Sequence, residues 1–444
     1  MNDNLPISEE IIAQVYKAAI IEDVIRDRVK LEEKGRYYWG LCPFHHDNTP
    51  CLAVDPVRHF WHCFGCGAGG SVVDFLMLDQ GLSFSEAVRD LARRYGIEIP
   101  EPERSPEEIR QQESKSNLLR VLSLANRFFT QNLSSPAAGQ ARDYLTKRGL
   151  LPEVWADFDL GFALPDYESL GRFLTSQKIP EKLGVEAGLL CERDKGSGCY
   201  DRFRERIIFP IRDADNNIVS FGGRILDANT PEGNPKYLHG PTTEVFQKSN
   251  ILYNLVQARR HMRQKRRVLV VEGYFDVITL HAHGFKETVG TLGTALTLDH
   301  IRMLHRNARR IILLFDGDLA GQKAAVRTLP FFLEEDIYPQ VLTLPKTEDP
   351  DSFVRKRGGE QLEQALGLTR PLLEVVLDNV VRQGDLSSPE GQSRILDEAA
   401  HILIKIKDQT MRTKHVRRLC ETLNLPLQII ADRCRLLRQS QKRT

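Results

Sequence analysis

The sequence predicts a multidomain protein that combines α+β and α/β architecture. Its 444 residues suffice for about three domains of ordinary size. A polar stretch at residues 101–117 divides a small first unit from the rest of the chain. Strand-like runs alternate with helical segments over residues 266–350, a pattern typical of a mainly parallel sheet flanked by helices.

Residues 1–100 are predicted to form a small domain with short strands. Apolar residues recur at helical spacing over residues 9–28, and Lys34-Gly35 then forms the turn of a hairpin whose second strand is aromatic. Residues 101–117 have no aromatic residue and are rich in Pro, Glu, Gln and Ser. This composition predicts a flexible linker.

Two closely spaced ligand pairs occur in the first domain. Cys42-Pro-Phe-His45 precedes Cys63-Phe-Gly-Cys66, so each pair can lie on one tight turn and direct both ligands at one ion. Four-coordinate structural zinc requires two such pairs, and they leave no position for a catalytic water. We therefore expect one structural Zn²⁺ on Cys42, His45, Cys63 and Cys66; the alternative is a group of buried thiols without metal.

Further residues of ligand type lie close to these pairs. They are His46, Cys51, His59 and His62. The two-residue spacing favours His45 over His46, and Cys51 lacks a closely spaced partner, which favours a packing role.

The middle and the end of the chain differ in character. Residues 118–265 are predicted to form a mixed α+β subdomain, and residues 351–444 a helical subdomain. The whole chain has a net charge of +1, but residues 201–270 carry +6 and residues 401–444 carry +8. Such basic surface can bind phosphates, although solvated helix faces explain the C-terminal charge equally well.

Carboxylates follow the ends of three predicted strands. Glu272 follows the first, Asp316 and Asp318 the second, and Asp349 and Asp351 the third. The α/β folds place their sites at this edge of the sheet. Two carboxylates about 4 Å apart repel by about 4 kcal/mol, and a hard cation such as Mg²⁺ would offset this repulsion. Metal-assisted phosphoryl transfer is the chemistry expected here, whereas a helix cap explains any one of these residues alone.

The remaining signals concern location and class of protein. The longest apolar runs are too short to cross a bilayer. The N-terminus lacks a basic region followed by an apolar core, which predicts a cytoplasmic protein without a membrane partner. A P-loop signature is absent from the sequence, which disfavours a P-loop ATPase or helicase.

Together these segments resemble the DnaG-type bacterial DNA primases. The two zinc-type pairs are similar to the CHC2 zinc-ribbon-like domain of that family. Val271-Glu-Gly-Tyr-Phe-Asp276, Phe315-Asp-Gly-Asp-Leu-Ala-Gly321 and Glu348-Asp-Pro-Asp351 resemble its TOPRIM core. Basic motifs of its polymerase domain have counterparts too: Arg148-Gly-Leu, Asp201-Arg-Phe-Arg204, Phe221-Gly-Gly-Arg224, Pro235-Lys-Tyr-Leu238 and Phe246-Gln-Lys248.

The resemblance implies synthesis of short RNA primers on single-stranded DNA from ribonucleoside triphosphates, with an RNA–DNA hybrid as product. It implies zinc on the ligands named above and catalysis by Glu272, Asp316 and Asp318. It further implies Mg²⁺ or Mn²⁺, more than one ion, on Glu272, Asp316, Asp318, Asp349 and Asp351. The residues it implies for DNA or nucleotide binding are Arg148, Arg202, Arg204, Arg224, Lys236, Tyr237 and Lys248.

Two other classes of protein remain as alternatives. A TOPRIM nuclease or topoisomerase would cut DNA, but no tyrosine in the sequence can be assigned as the nucleophile of a topoisomerase. A non-catalytic zinc-dependent DNA-binding factor would not need the complete acidic set. The product, new RNA or nicked DNA, distinguishes the first alternative from a primase.

The resemblance also raises the question of the replicative helicase. In the family a C-terminal helical domain docks on this helicase, at the nucleoid and the replication fork. About 90 residues follow Asp351, and they are needed for the helical subdomain that closes the polymerase region. We therefore expect the docking domain to be absent, either because the chain is a fragment or because its lineage recruits the helicase differently.

Overall fold

The computed structural model describes residues 7–45, 49–80, 82, 84–99, 105–193, 198–226, 235–293, 295–315, 319–345 and 347–441. The chain divides into two compact units, residues 1–107 and residues 108–444.

The first unit is built on an antiparallel sheet with helices before and after it. Helices α1 (Glu9–Ala18) and α2 (Ile21–Arg26) lead into β1 (Glu32–Lys34), β2 (Tyr37–Gly40), β3 (Leu52–Asp55), β4 (Phe60–Cys63) and β5 (Gly69–Gly70), and α3 (Val72–Gln80) and α4 (Phe84–Arg94) follow. The strands pair in chain order. The predicted hairpin is present, and Gly35 at its turn has a φ of 69°. Fully buried Trp61 lies in the core and donates its indole N–H to the Ser71 carbonyl at 3.0 Å.

The expected linker is helical where it is described. Helix α5 (Pro106–Leu133) begins inside residues 101–117, while residues 101–104 lie outside the described residues. Proline suits the first position of a helix, and Glu, Gln and Arg are good helix formers. The buried face that starts at Leu118 continues the same helix. A polar composition alone could not distinguish a solvated linker from a solvated helix start.

The second unit begins with an α+β region. After α5 come α6 (Gly139–Lys147), α7 (Pro152–Asp157), β6 (Gly161–Ala163), α8 (Ser169–Ser176), α9 (Glu181–Glu186), β7 (Leu190–Glu192), β8 (Cys199–Asp201), β9 (Arg206–Arg212), β10 (Ile218–Ile225), β11 (Tyr237–His239) and α10 (Leu255–Lys265). One sheet has the order β11-β10-β9-β6 and is antiparallel throughout.

An α/β core follows. Its elements are β12 (Arg267–Val271), α11 (Tyr274–Ala282), β13 (Thr288–Gly290), α12 (Leu298–Asn307), β14 (Arg310–Phe315), α13 (Leu319–Glu334), β15 (Gln340–Thr343), α14 (Pro350–Leu366) and β16 (Arg370–Pro371). The sheet order is β13-β12-β14-β15-β16; only β16 is antiparallel to its neighbour. The predicted alternation of strands and helices is confirmed.

The chain continues as helices α15 (Leu372–Gln383), α16 (Pro389–Leu403), α17 (Gln409–Leu423) and α18 (Leu427–Gln441). Their apolar residues join those of α10, α12 and β14 in one buried cluster. The helices therefore share a core with one face of the α/β sheet.

Candidate functional site

The four predicted zinc ligands converge in the first unit. One ligand atom of each of Cys42, His45, Cys63 and Cys66 lies within 4.8 Å of all the others. The Sγ atoms of Cys42 and Cys66 are 3.9 Å apart, and Cys63 Sγ is 3.9 Å from His45 Nδ1. Zinc–sulfur bonds of about 2.3 Å place tetrahedral ligands about 3.8 Å apart. The cluster therefore has the dimensions and the donor chemistry that zinc requires.

The local backbone prepares Cys63 as a ligand. It ends β4, and its Sγ accepts hydrogen bonds from the backbone N–H of Gly65 at 3.3 Å and of Cys66 at 3.4 Å. Burial acts to raise the pKa of Cys63, but these hydrogen bonds, together with those from the Cys42 and Cys66 side chains, outweigh it and lower the pKa to about 7. Burial raises the pKa of Cys42 to about 12. The thiolate, which is the form that binds metal, thus forms more easily at Cys63 than at Cys42.

Cys51 lies closer to the cluster than its position in the sequence indicates. Its Sγ is 3.7 Å from Cys63 Sγ and 3.9 Å from His45 Nε2. His59 is exposed, His62 is half-buried, and His46 lies outside the described residues. Cys51 is thus the neighbour that a ligand test must include.

The carboxylates of the α/β core lie at one edge of its sheet. Glu272 is half-buried and directly follows β12; β14 ends at Phe315, the residue before Asp316. These two strands are adjacent and parallel, with Val270 opposite Leu313, so both end at the same edge. Asp316 and Asp318 themselves fall outside the part of the chain that the structure describes.

The third acidic segment contains a buried carboxylate, that of Asp351. Asp351 is 3% exposed and accepts hydrogen bonds from Arg148 Nη1 at 2.7 Å, from Thr279 Oγ1 at 2.7 Å, and from Arg355 Nε at 3.1 Å. Its backbone N–H donates to Asp276 Oδ1 at 3.2 Å. Protein donors thus engage both carboxylate oxygens, and the expected role of Asp351 as a magnesium ligand stays a prediction.

Asp349 caps helix α14. Its Oδ1 accepts from the Ser352 N–H at 2.6 Å, and the Ser352 hydroxyl accepts from the Asp349 N–H at 3.0 Å. The side chain is exposed. This is the helix-cap arrangement that the sequence left open as an alternative.

Two of the predicted basic residues have their guanidinium groups close to the same two aromatic rings. The guanidinium carbon of Arg148 lies 4.3 Å from the Phe275 ring centre and 5.1 Å from that of Tyr144. The guanidinium carbon of Arg224 lies 5.5 Å and 5.4 Å from the same two centres. Arg224 also donates to the Tyr237 hydroxyl at 2.8 Å, and burial raises the pKa of Tyr237 to about 12. Two positively charged guanidinium groups close to the same rings favour the binding of a phosphate.

The other predicted basic residues lie elsewhere on the second unit. The Arg204 guanidinium carbon is 4.4 Å from the ring centre of exposed Tyr167. Arg202 is half-buried, Lys236 is exposed, and burial lowers the pKa of half-buried Lys248.

Sequence reasoning missed several residues of this region. They are Tyr144, Phe275, Thr279 and Arg355. Tyr144 precedes Arg148 by four residues in a helical segment, a spacing that brings side chains together and could have revealed it. Arg355 lies four residues after Asp351 in α14, a spacing that could have revealed it in the same way. Phe275 and Thr279 depend on contacts between distant segments, and their sequence positions give no comparable signal.

Family models match successive parts of the chain. They are the CHC2 zinc finger at residues 7–107, the N-terminal domain of the DNA primase catalytic core at 128–259, the Toprim domain at 266–343 and the DnaB-helicase binding domain of primase at 373–428.

Whole proteins similar to this chain are also DNA primases. The chain is 39% identical to a DNA primase of Escherichia coli K12 over 397 residues, which cover 88% of this chain and 67% of that protein. It is 38% identical to the DNA primase of Salmonella typhimurium, covering 93% of this chain and 70% of the relative. The chain thus spans about two thirds of the length of these relatives.

Among solved structures, the zinc-binding and RNA polymerase domains of Aquifex aeolicus primase match with a TM-score of 0.61 and 29% identity, covering 95% of this chain and 98% of that one. A DnaG primase catalytic domain bound to single-stranded DNA matches with a TM-score of 0.64 and 37% identity, covering 71% of this chain and 98% of that one.

One expectation is overturned by these matches. The helicase-docking domain was expected to be absent, but the helicase-binding family model covers residues 373–428, which include α16, α17 and all of α15 except its first residue, Leu372. The same helices pack on the α/β core, so the sequence pattern of a closing subdomain could not distinguish the two roles. Within the described residues, no helix is both long and apolar enough to span a membrane.

Proposed function

Because the chain belongs to the DNA primase family, we propose that the carboxylates at the edge of its α/β sheet hold the divalent metals of RNA primer synthesis. Glu272, Asp316 and Asp318 form the central set. All offer oxygen ligands, which fits Mg²⁺ or Mn²⁺. Asp349 lies within the third acidic segment and completes the set through water or directly.

We assign Asp351 a different role from its neighbours. Its buried carboxylate fixes Arg148 at 2.7 Å, and Arg148 in turn lies over Phe275 at 4.3 Å. Arg224 is restrained over the same ring by Tyr237 at 2.8 Å. The two guanidinium groups therefore lie beside the same ring, each restrained by a hydrogen bond. We propose that they bind the triphosphate of the incoming nucleotide.

The reaction that follows is nucleotidyl transfer. The 3′-hydroxyl of the growing RNA attacks the α-phosphate of the nucleotide, the new phosphodiester forms, and pyrophosphate leaves. Divalent metal at the carboxylates supplies charge neutralisation for the phosphates. Arg148 and Arg224 hold the phosphates in line, and positioning of this kind dominates the catalysis of phosphoryl transfer.

Template binding is assigned to the remaining basic residues. Arg202, Arg204, Lys236 and Lys248 lie on the second unit, and cations on such a surface neutralise the DNA backbone. The exposed Tyr167 ring beside Arg204 offers a face for an unpaired base. The product on this surface is an RNA–DNA hybrid.

Location and partner follow from the same assignment. The replicative helicase is expected to dock on residues 373–428, the range of the helicase-binding family model. We propose accordingly that the protein acts in the cytoplasm at the replication fork. The observation that carries the whole proposal is that β12 and β14 are adjacent and parallel and end at one edge of the sheet, with Glu272 directly after β12 and with β14 ending at Phe315, the residue before Asp316.

The direct test uses single-stranded DNA, labelled ribonucleotides and Mg²⁺, followed by sizing of the products. We expect short RNA that alkali destroys, and little RNA from Arg224→Ala. Lys182→Ala is the matched control, because Lys182 is 88% exposed and pairs only with Glu186 on its own helix among the described residues. Nicked DNA without new RNA would contradict the proposal.

A further inference from the structure

A buried arginine lies beneath the hairpin that carries part of the proposed nucleotide site. Arg206 is 4% exposed and begins β9. Its Nη1 donates to the carbonyls of Pro235 at 2.9 Å, Gly223 at 3.3 Å and Lys236 at 3.4 Å. Burying a guanidinium costs free energy unless hydrogen bonds compensate for it. The Gly223 carbonyl belongs to β10, and the carbonyls of Pro235 and Lys236 directly precede β11.

The carbonyls that Arg206 holds are neighbours of the proposed phosphate contacts. In the pairing of β10 with β11, Arg224 lies opposite Tyr237 and Gly223 opposite Leu238. The Ile225 N–H donates to the same Lys236 carbonyl at 3.2 Å. Arg206 therefore joins the two strands through their backbones at the level where they present Arg224 and Tyr237.

Gly223 packs closely against the Arg206 side chain. A Cβ added to Gly223 would lie 3.0 Å from Arg206 Cδ and 2.8 Å from Phe203 Cδ1. A glycine at this position thus makes room for the arginine side chain. In a lysine the ammonium nitrogen lies one bond closer to the backbone than the Arg206 Nη1, so it would not reach these carbonyls at hydrogen-bond distance.

From these contacts we infer that Arg206 is a positioning residue for nucleotide binding, because it fixes the β10–β11 pair that presents Arg224 and Tyr237. It touches no substrate itself. This inference rests on the proposed function, in which Arg224 binds the nucleotide triphosphate.

The test compares Arg206→Lys with Arg142→Lys. Arg142 is a half-buried arginine that also donates to carbonyls, those of Leu133 at 2.7 Å and Ser135 at 2.5 Å, but on α5 and its exit. For Arg206→Lys we expect the KM for nucleotide to rise about tenfold, the scale of losing a charge-assisted hydrogen bond. The kcat at saturating nucleotide should change little, and Arg142→Lys should leave both constants near wild type.

Two further measurements separate positioning from a general loss of stability. Hydrogen exchange at the Ile225 amide should accelerate in Arg206→Lys and not in Arg142→Lys. In the Arg224→Ala background, the effect of Arg206→Lys on KM should largely vanish, because the residue through which it acts is gone. An equal rise in KM in both backgrounds would overturn the inference.

The outcomes also distinguish this inference from the proposed function. If Arg224→Ala alone leaves the KM for nucleotide unchanged, the proposed phosphate contact is wrong. If Arg224→Ala raises the KM while Arg206→Lys does not, only the positioning role is wrong. Should Arg206→Lys fail to fold, Gly223→Ala perturbs the same contact from the opposite side, and a wild-type KM in that variant would overturn the inference.

Discussion

Replacing Cys63 with serine should remove zinc from the first unit and unfold it. Cys63 is fully buried, and its Sγ lies 3.9 Å from His45 Nδ1. Structural zinc contributes on the order of 10 kcal/mol to folding, whereas a domain of this size has a net stability of about 5–15 kcal/mol. Loss of the ion is therefore comparable with the whole stability of the unit.

Cys51→Ser is the informative comparison. The Cys51 Sγ is only 3.7 Å from Cys63 Sγ, yet the two-residue spacing of the ligand pairs excludes it. We expect this variant to retain one zinc and to lose about 1–3 kcal/mol, since a buried hydroxyl replaces a thiol. Cys191→Ser, in the second unit, should change neither zinc content nor stability appreciably.

The assay is elemental analysis of the purified full chain together with thermal unfolding followed by circular dichroism. Cys63→Ser should contain no zinc and should lose the transition of the first unit. One zinc per chain in Cys63→Ser, or none in Cys51→Ser, would refute the ligand set.

Three other predictions concern the second unit. Asp351→Asn should destabilise it by about 3–5 kcal/mol in urea unfolding, because it breaks a buried pair and leaves the Arg148 charge without its carboxylate. Gly222→Ala should cost about 1–3 kcal/mol, because the new Cβ would lie 2.3 Å from the buried Tyr274 hydroxyl oxygen. Lys236→Ala should weaken single-stranded DNA binding and reduce its dependence on log salt concentration by about one unit.

Control variants and contradicting outcomes can be stated for these three predictions. Gly139→Ala, where an added Cβ would meet nothing within 4 Å, should leave the urea midpoint nearly unchanged; an equal effect at both glycines would contradict the packing argument. Lys182→Ala should not alter the salt dependence. Wild-type stability of Asp351→Asn would show that the pair with Arg148 does not stabilise the second unit.

The convergence of the four expected zinc ligands and the α/β core could be predicted because their signals are local. Each ligand pair, Cys42 with His45 and Cys63 with Cys66, needs only the spacing of a tight turn. The strands β12 and β14 are continuous apolar runs, and carboxylates follow each of them in the sequence. Strand direction then brings Glu272 to the same edge as the end of β14. No long-range contact had to be known for these inferences.

What could not be predicted depends on long-range contacts. Asp351 looked like one more strand-end carboxylate, but Arg148, which lies 203 residues earlier, engages it. The first turns of α5 could not be predicted, because their polar composition is also that of a linker. Only the buried face from Leu118 onward shows that these residues belong to a helix. The role of Arg206 likewise depends on carbonyls of residues that the sequence does not mark as its neighbours.

The most direct test of the central claim is the binding of Mn²⁺, a spectroscopic substitute for Mg²⁺, measured together with primer synthesis. Electron paramagnetic resonance should show that wild-type protein binds more than one Mn²⁺, and that Glu272→Gln and Asp316→Asn bind fewer ions and synthesise no primers. Circular dichroism should show that both variants remain folded. Wild-type Mn²⁺ binding and primer synthesis in either folded variant would contradict the claim that these carboxylates hold the catalytic metals.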